Sequence, residues 1–185
     1  MEVVHKSYKF KIAPDNEQKE LLAKHFGACR FVFNRYLNIR KETYHAERKS
    51  VNYYDNANDL TVLKKEAQFV WLKEINAQSL QSSLRNLDTS YNNFFRRQTK
   101  FPRFKSKFDR QSFTVPQWVS IEDGKLKIPK FKKGIEINLH REIEGKLLFA
   151  TLSKSTTSKY YVSITCEVEH TELKKQTQKL ALILE

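Results

Sequence analysis

Polar and apolar positions change their period twice along this chain. Over residues 5–12, HKSYKFKI, they alternate: Lys6, Tyr8, Phe10 and Ile12 fall on one side, His5, Ser7, Lys9 and Lys11 on the other. That pattern predicts a half-exposed strand with a basic outer face. Pro14 ends it, and Asp15 with Gln18 three residues on forms a capping-box signature. Leu22, Phe26, Cys29, Phe33, Tyr36 and Arg40 then recur at helical spacing, with Gly27 a point where the helix kinks or breaks. RKSVNYYDNAND reads as a loop, and a second helix is expected from Ala57 to Gln68. Val70–Trp71 is expected to anchor the connection that follows into the core. A third helix is predicted from an N-cap at Asn76 to about Arg97. Its seam is Leu80, Leu84, Leu87, Tyr91 and Phe94. Beyond residue 110 the period returns to two, giving strand candidates at 111–121, 125–131, 134–140, 146–154 and 159–169. Asp123-Gly124 and STTSK (155–159) are turn signals between them. Residues 171–185 read as a frayed helix or a tail.

An isolated strand is not stable, so the N-terminal strand needs a sheet partner. The candidates all follow the helices. The expected class is therefore α+β: a discontinuous β domain made of residues 1–14 and 111–170, with a helical domain, 15–97, inserted after the first strand. A connector, 98–110, leads back into the sheet and 171–185 trails it.

Charge sharpens this picture. The 185 residues carry a formal net charge of +13, and the pI is about 9.7. Such an excess points to polyanionic partners rather than to a fold. No apolar run approaches the roughly 20 residues that span a bilayer. The N-terminus has no signal-peptide apolar block, so a cytoplasmic protein without a membrane partner is expected. Cys29 and Cys166 are far apart and read as small buried residues rather than as ligands.

Signs of catalysis are sparse. The six aspartates fall mostly in caps, loops or turns, and the five histidines are dispersed, with His25 and His45 on helical patterns as surface or satisfied packing residues. With four glycines, a phosphate-cradling loop is all but excluded. No cofactor, metal site or catalytic residue is expected. Binding chemistry is richer. The segment RRQTKFPRFKSKFDR carries Arg96, Arg97, Lys100, Arg103, Lys105, Lys107 and Arg110, a density suited to neutralising phosphates. Its phenylalanines either stack on unpaired bases or pin the segment to the fold. Lys125, Lys127, Lys130, Lys132 and Lys133 extend the basic surface. On the third helix, Gln78, Gln81 and Arg85 lie opposite the leucine seam; amides can pair with adenine, and Arg with guanine or phosphate.

FGACRFVFNRYL (26–37), DLTVLKKE, WLKEINAQSLQSSLRNLDTSYNNFFRR, FPRFKSK and YYVSITCEVE resemble, in order and spacing, the N-terminal half of TnpB, the OrfB protein of the IS200/IS605 transposon family. The resemblance covers roughly residues 5–169. It implies a small OB-like β-barrel, the wedge, interrupted by a helical recognition domain. It further implies an RNA-guided DNA nuclease module that binds a transposon-derived guide RNA and a short motif in double-stranded DNA beside the target. In such effectors base pairing reads the target and protein side chains read only the flanking motif. Carried over by motif, the DNA-contacting positions are Tyr53, Ala77, Gln78, Gln81, Phe113 and Thr114; Arg85 joins them from its place opposite the leucine seam. Guide RNA is assigned to Lys9, Lys11, Arg96, Arg97, Arg103, Lys105, Lys107, Lys130 and Lys132. Where the family continues into a RuvC-like nuclease with an Asp/Glu/Asp set and a four-cysteine zinc finger, this chain reads KKQTQKLALILE. The expectation is a binding module that cleaves nothing by itself, cut from a longer protein or read from a shortened frame. The alternatives are half of an endonuclease that regains activity with its missing nuclease part, and a guide-independent transposon regulator.

Overall fold

The computed structural model describes residues 2–170; the tail expected at 171–185 lies outside them. Strand β1, Glu2–Ala13, is followed by α1, Asn16–Glu47, and α2, Tyr53–Leu63. A 3₁₀ segment, Ala67–Glu74, leads into α3, Ala77–Phe95. Six strands come after the helices: β2, Gln111–Val115; β3, Ser120–Glu122; β4, Lys125–Lys127; β5, Ile135–Asn138; β6, Lys146–Lys154; and β7, Tyr160–His170. All pair antiparallel into one seven-stranded sheet in the order β2-β6-β7-β1-β5-β4-β3. The fold is α+β, and the sheet is a half-barrel whose edge strands, β2 and β3, do not pair with each other. β1 sits inside the sheet, flanked by β7 along its length and by β5 at its C-terminal end. The helices are thus inserted between β1 and β2, which belong to the same sheet and are separated in it by β6 and β7.

Local signals explain most boundaries. The Asp15 carboxylate accepts from the Gln18 amide at 2.8 Å, and the Gln18 side chain accepts from Asp15 N–H at 3.1 Å. Both bonds of the expected capping box are made, and Gln18 Nε2 also donates to the Gly134 carbonyl at 2.7 Å, tying the helix start to the sheet. Gly27 does not break α1, which runs for 32 residues. One glycine costs a helix interior only about 1 kcal/mol, and burial of its neighbours outweighs that. α2 begins at Tyr53, four residues before the expected Ala57, because Asn52 and Asp55 form a second capping box. The expected strand 111–121 divides at Pro116, which lacks a ladder donor; the chain turns there, with Trp118 at φ +62°. Val70 and Trp71 do not anchor the preceding connection; they are 44% and 41% exposed, and Leu72, fully buried, does so.

One continuous core joins sheet and helices. Tyr8, Phe10 and Ile12 of β1 meet Phe113, Leu152, Val162 and Ile164 on the inner face of the sheet. Leu22, Phe26, Val32, Tyr36 and Leu37 of α1 pack with Leu80, Leu84 and Leu87 of α3. His25 stands at the junction, fully buried, with the rings of Phe113 and Phe131 at 5.1 and 5.4 Å. Its Nδ1 donates to the Leu21 carbonyl at 2.8 Å and its Nε2 accepts from Asn76 N–H at 3.3 Å, which defines a neutral tautomer. Burial holds its pKa below the ordinary value, helped by the nearby Lys130 charge. The packing role expected of His25 is met, and it further fixes the start of α3. Across the helices, Arg40, only 7% exposed, bonds Asp88 at 3.0 Å and lies 5.2 Å from the Tyr91 ring.

Candidate nucleic-acid interface

Two surfaces carry the candidate chemistry. The first is the outer side of α3. Its buried seam turns Ala77, Gln81 and Arg85 outward on one row, and all three are exposed. The row spans about 12 Å at 1.5 Å per residue. At its far end Arg85 Nε donates to the Tyr53 hydroxyl at 3.4 Å and its guanidinium lies 5.5 Å from the Tyr53 ring, whose edge meets Tyr54. That hydroxyl raises the Arg85 pKa further. At the near end Gln78 Nε2 donates to Gln117 Oε1 at 2.8 Å, and Gln78 Oε1 is buried without a partner. The Gln78 amide, expected to face a base, here holds the loop after β2. Lys130, placed with the RNA set by sequence, lies at this same end, its ammonium 3.5 Å from the Lys73 carbonyl.

Phe113 also leaves the base-contacting set. It is 3% exposed, in the core against His25 and Phe26, because β2 turns it inward with Val115. Thr114 points the other way and shares a hydroxyl contact of 3.1 Å with Thr151.

The second surface is the connector and the outer sheet face. After α3 the chain descends along α1. Phe101 meets Tyr91 and Phe94 at 5.5 and 5.3 Å, and Phe104 lies under Lys41 at 5.3 Å. The Asn34 side chain brackets the Lys105 backbone, accepting from its N–H at 2.8 Å and donating to its carbonyl at 2.9 Å. Arg96, Arg97, Arg103 and Lys107 remain exposed. Lys105 is exposed too, but its ammonium lies 4.0 Å from the Phe33 ring centroid, and burial of that end lowers its pKa. That end of the side chain therefore has an internal contact on α1 beside the role expected of it at phosphate. Nearby Cys29 has its thiol pushed up to about 11 by burial, which disfavours the thiolate.

At the end of the connector Arg110 reaches Ser153 at 3.5 Å. Ser153 is in register with Tyr161, and Tyr161 with Lys11. Lys9 lies 4.6 Å over the Tyr161 ring. Ser112, Thr114, Thr151 and Ser163 share this outer face through direct cross-strand pairing. The result is a hydroxyl-rich β surface edged with cations, which suits phosphate and sugar contacts. Lys132 is exposed in the turn before β5, apart from this face.

Sequence reasoning missed Arg30, which donates to Gln111 at 3.1 Å, as well as Asn34, Gln117 and Trp118. The helical spacing of Arg30 and Asn34 was a usable signal for the first two; the loop residues gave none. Among the described residues no three His, Cys, Asp or Glu groups lie close enough to hold a metal ion, and no helix is long and apolar enough to cross a membrane.

A helix-turn-helix domain of the IS605-type OrfB proteins matches residues 1–49. Of those, the described residues fold here as β1 and one uninterrupted helix, α1. The chain is 35% identical over 165 residues to the putative RNA-guided DNA endonuclease InsQ of Escherichia coli K12, covering 88% of this chain and 40% of that protein. It is 30% identical over 177 residues to a putative RNA-guided DNA endonuclease of Streptomyces pristinaespiralis, of which it spans 42%. It is 34% identical over 105 residues to the virulence protein VsdF of Salmonella dublin, covering 52% of this chain and 88% of that protein. The chain thus spans about two fifths of the length of the two endonuclease relatives. The matched segments take in the strand, the long helix, the outward row of α3 and the connector that frame both surfaces, and the chain belongs to the OrfB (TnpB) family of the IS200/IS605 transposons.

Proposed function

We propose that this chain is the nucleic-acid-binding part of a transposon-associated, RNA-guided DNA endonuclease. Duplex DNA beside the target meets the outer row of α3, where Gln81 and Arg85 contact base edges and Tyr53 and Ala77 shape the contact. Thr114 is the DNA-contacting position on the edge strand β2, on the outer sheet face. Structured guide RNA is held by Arg96, Arg97, Arg103 and Lys107 of the connector and by Lys9 and Lys11 on the outer sheet face, while Lys130 and Lys132 extend the basic surface. The observation that carries this reading is the outward Gln81–Arg85 row, braced at one end by Tyr53 and at the other by the Gln78–Gln117 bond. Such a row gives a fixed pattern of donors, which base readout needs. The names of the two long relatives support the RNA-guided part. In this reading the bond-breaking chemistry belongs to the part of the family protein outside the segment matched here, and the two domains divide near residues 14 and 111.

RNA retention is the first test. The purified chain should carry RNA, seen as an absorbance ratio at 260 and 280 nm that falls after RNase treatment. A chain free of RNA would favour guide-independent DNA binding. The second test is a pulldown from a randomised duplex library. Gln81→Ala with Arg85→Ala should change the recovered motif more than the total DNA retained; an unchanged motif rejects the assignment. Supplying the remaining part of a relative in trans, with guide RNA, tests for reconstituted cleavage.

A further inference from the structure

We propose that Trp118 is a base-stacking residue, displayed beside the α3 row to take up an unpaired nucleobase; this rests on the nucleic-acid-binding reading above. Trp118 is 78% exposed, unusual for the largest apolar side chain. Its backbone sits at φ +62°, a left-handed conformation that is strained for a bulky residue. Strain and exposure together give no stability, so the fold alone does not account for a tryptophan here.

The loop that carries it is held on both sides. Val115 is buried before it, and Val119 packs against the core after it. Pro116 stiffens the entry, and Gln117 is bonded to Gln78 on α3. The indole is therefore presented by a braced loop at the near end of the exposed α3 row. Among the described residues, no aromatic ring or cation packs against its face, although twelve ring pairs and twelve cation–ring contacts occur elsewhere.

The occupant follows from charge. A chain of net charge +13 attracts phosphates; Lys130 lies at this end of the row and Arg85 at its far end. A base from a strand held by such cations offers a π-face, and aromatic stacking accepts any base. A duplex keeps its bases stacked on one another, so the site selects opened or single-stranded segments.

The experiment uses the full chain. Trp71→Phe leaves Trp118 as the single tryptophan, because the sequence has two. Its emission should be quenched on titration with a 16-nucleotide single strand and much less with the blunt duplex of the same sequence. Trp118→Ala should weaken single-strand binding about tenfold. Trp118→Phe, which keeps a ring, should recover most of it. Heparin, a polyanion without bases, should bind parent and variants alike. Trp118→Gly, which relieves the left-handed strain, should melt no lower than the parent yet lose the same affinity. Strand binding with no quenching and no loss in Trp118→Ala overturns the stacking role and leaves the wider reading intact. A lower melting temperature with unchanged binding also overturns it, since the residue would then be packing. A parent that binds no nucleic acid at all overturns both.

Discussion

The outer row of α3 and the connector that follows it are both exposed and adjacent in sequence, yet they present their side chains by different means. On α3 the buried leucines set the helix rotation, so Ala77, Gln81 and Arg85 must point outward together. The connector has no regular structure between Gln98 and Arg110, and its side chains are placed one at a time by anchors on α1 and α3. Asn34 grips Lys105, Phe33 takes its ammonium, and Tyr91 and Phe94 hold Phe101. Periodicity therefore reports the exposed face of a helix, while in an irregular segment composition says only how many cations there are, not which of them are free.

The largest way to break this contrast is at the joint that positions α3. Asp88→Ala leaves the Arg40 guanidinium buried without its carboxylate. Asp88 is itself a third exposed, so the loss is expected at about 2 kcal/mol, below the range for fully buried pairs. Chemical denaturation measures it. Motif-selective DNA binding should weaken with it, while salt-dependent RNA binding through the connector persists.

Asn34→Ala removes two hydrogen bonds to the Lys105 backbone and should cost about 1 kcal/mol, since the site is exposed. Faster amide exchange around Lys105, with α3 unchanged, is the matching signature.

The division among connector cations has its own test. Arg103→Ala with Lys107→Ala should flatten the slope of log affinity against log salt for RNA by about 1.5, two lost contacts. Lys105→Ala should leave that slope unchanged, because its ammonium already lies on Phe33. A slope change for Lys105 equal to that of its neighbours would refute the internal role.

His25 couples the start of α3 to pH. Its pKa is lowered in the folded chain, so below about pH 6.5 the unfolded chain binds the proton first. Stability should fall as pH drops through that value towards the folded pKa and level off beneath it. His25→Gln should flatten the profile in thermal melts between pH 7 and 5.

Gly27→Ala gives the smallest effect and the opposite sign. A Cβ there meets nothing within 4 Å, so a gain of about 0.5–1 kcal/mol in stability is expected. Gly145 makes a useful contrast: at φ +84° its added Cβ would fall 2.1 Å from the Glu167 carbonyl oxygen, and the same substitution should destabilise.

Much of the architecture was legible in the sequence. The alternation of Tyr8, Phe10 and Ile12, the Asp15–Gln18 capping box and the Leu80–Leu84–Leu87 seam all correspond to buried or bonded groups in the fold. These are local patterns, readable because burial on one face imposes a period and a helix start leaves donors that a nearby side chain must satisfy. The start of α2 was legible as well, in Asn52 and Asp55, but turn-forming composition concealed it.

The site was less legible. A positive charge and an amide-rich helix face named the class of partner, because charge and composition act without reference to fold. Which atoms are available was decided by contacts between residues far apart in the chain. Gln78 meets Gln117 across 39 positions, Lys105 meets Phe33, and Phe113 meets His25. Each of these joins segments that only the packing of α1 and α3 on the sheet brings together. The sequence by itself determined the elements, their faces and the sign of the charge; the tertiary structure decided that Phe113 turns inward, that Gln78 bonds Gln117 and the Lys105 ammonium lies on Phe33, while Trp118 stands out, because a side chain's surroundings depend on what packs beside it rather than on its neighbours along the chain.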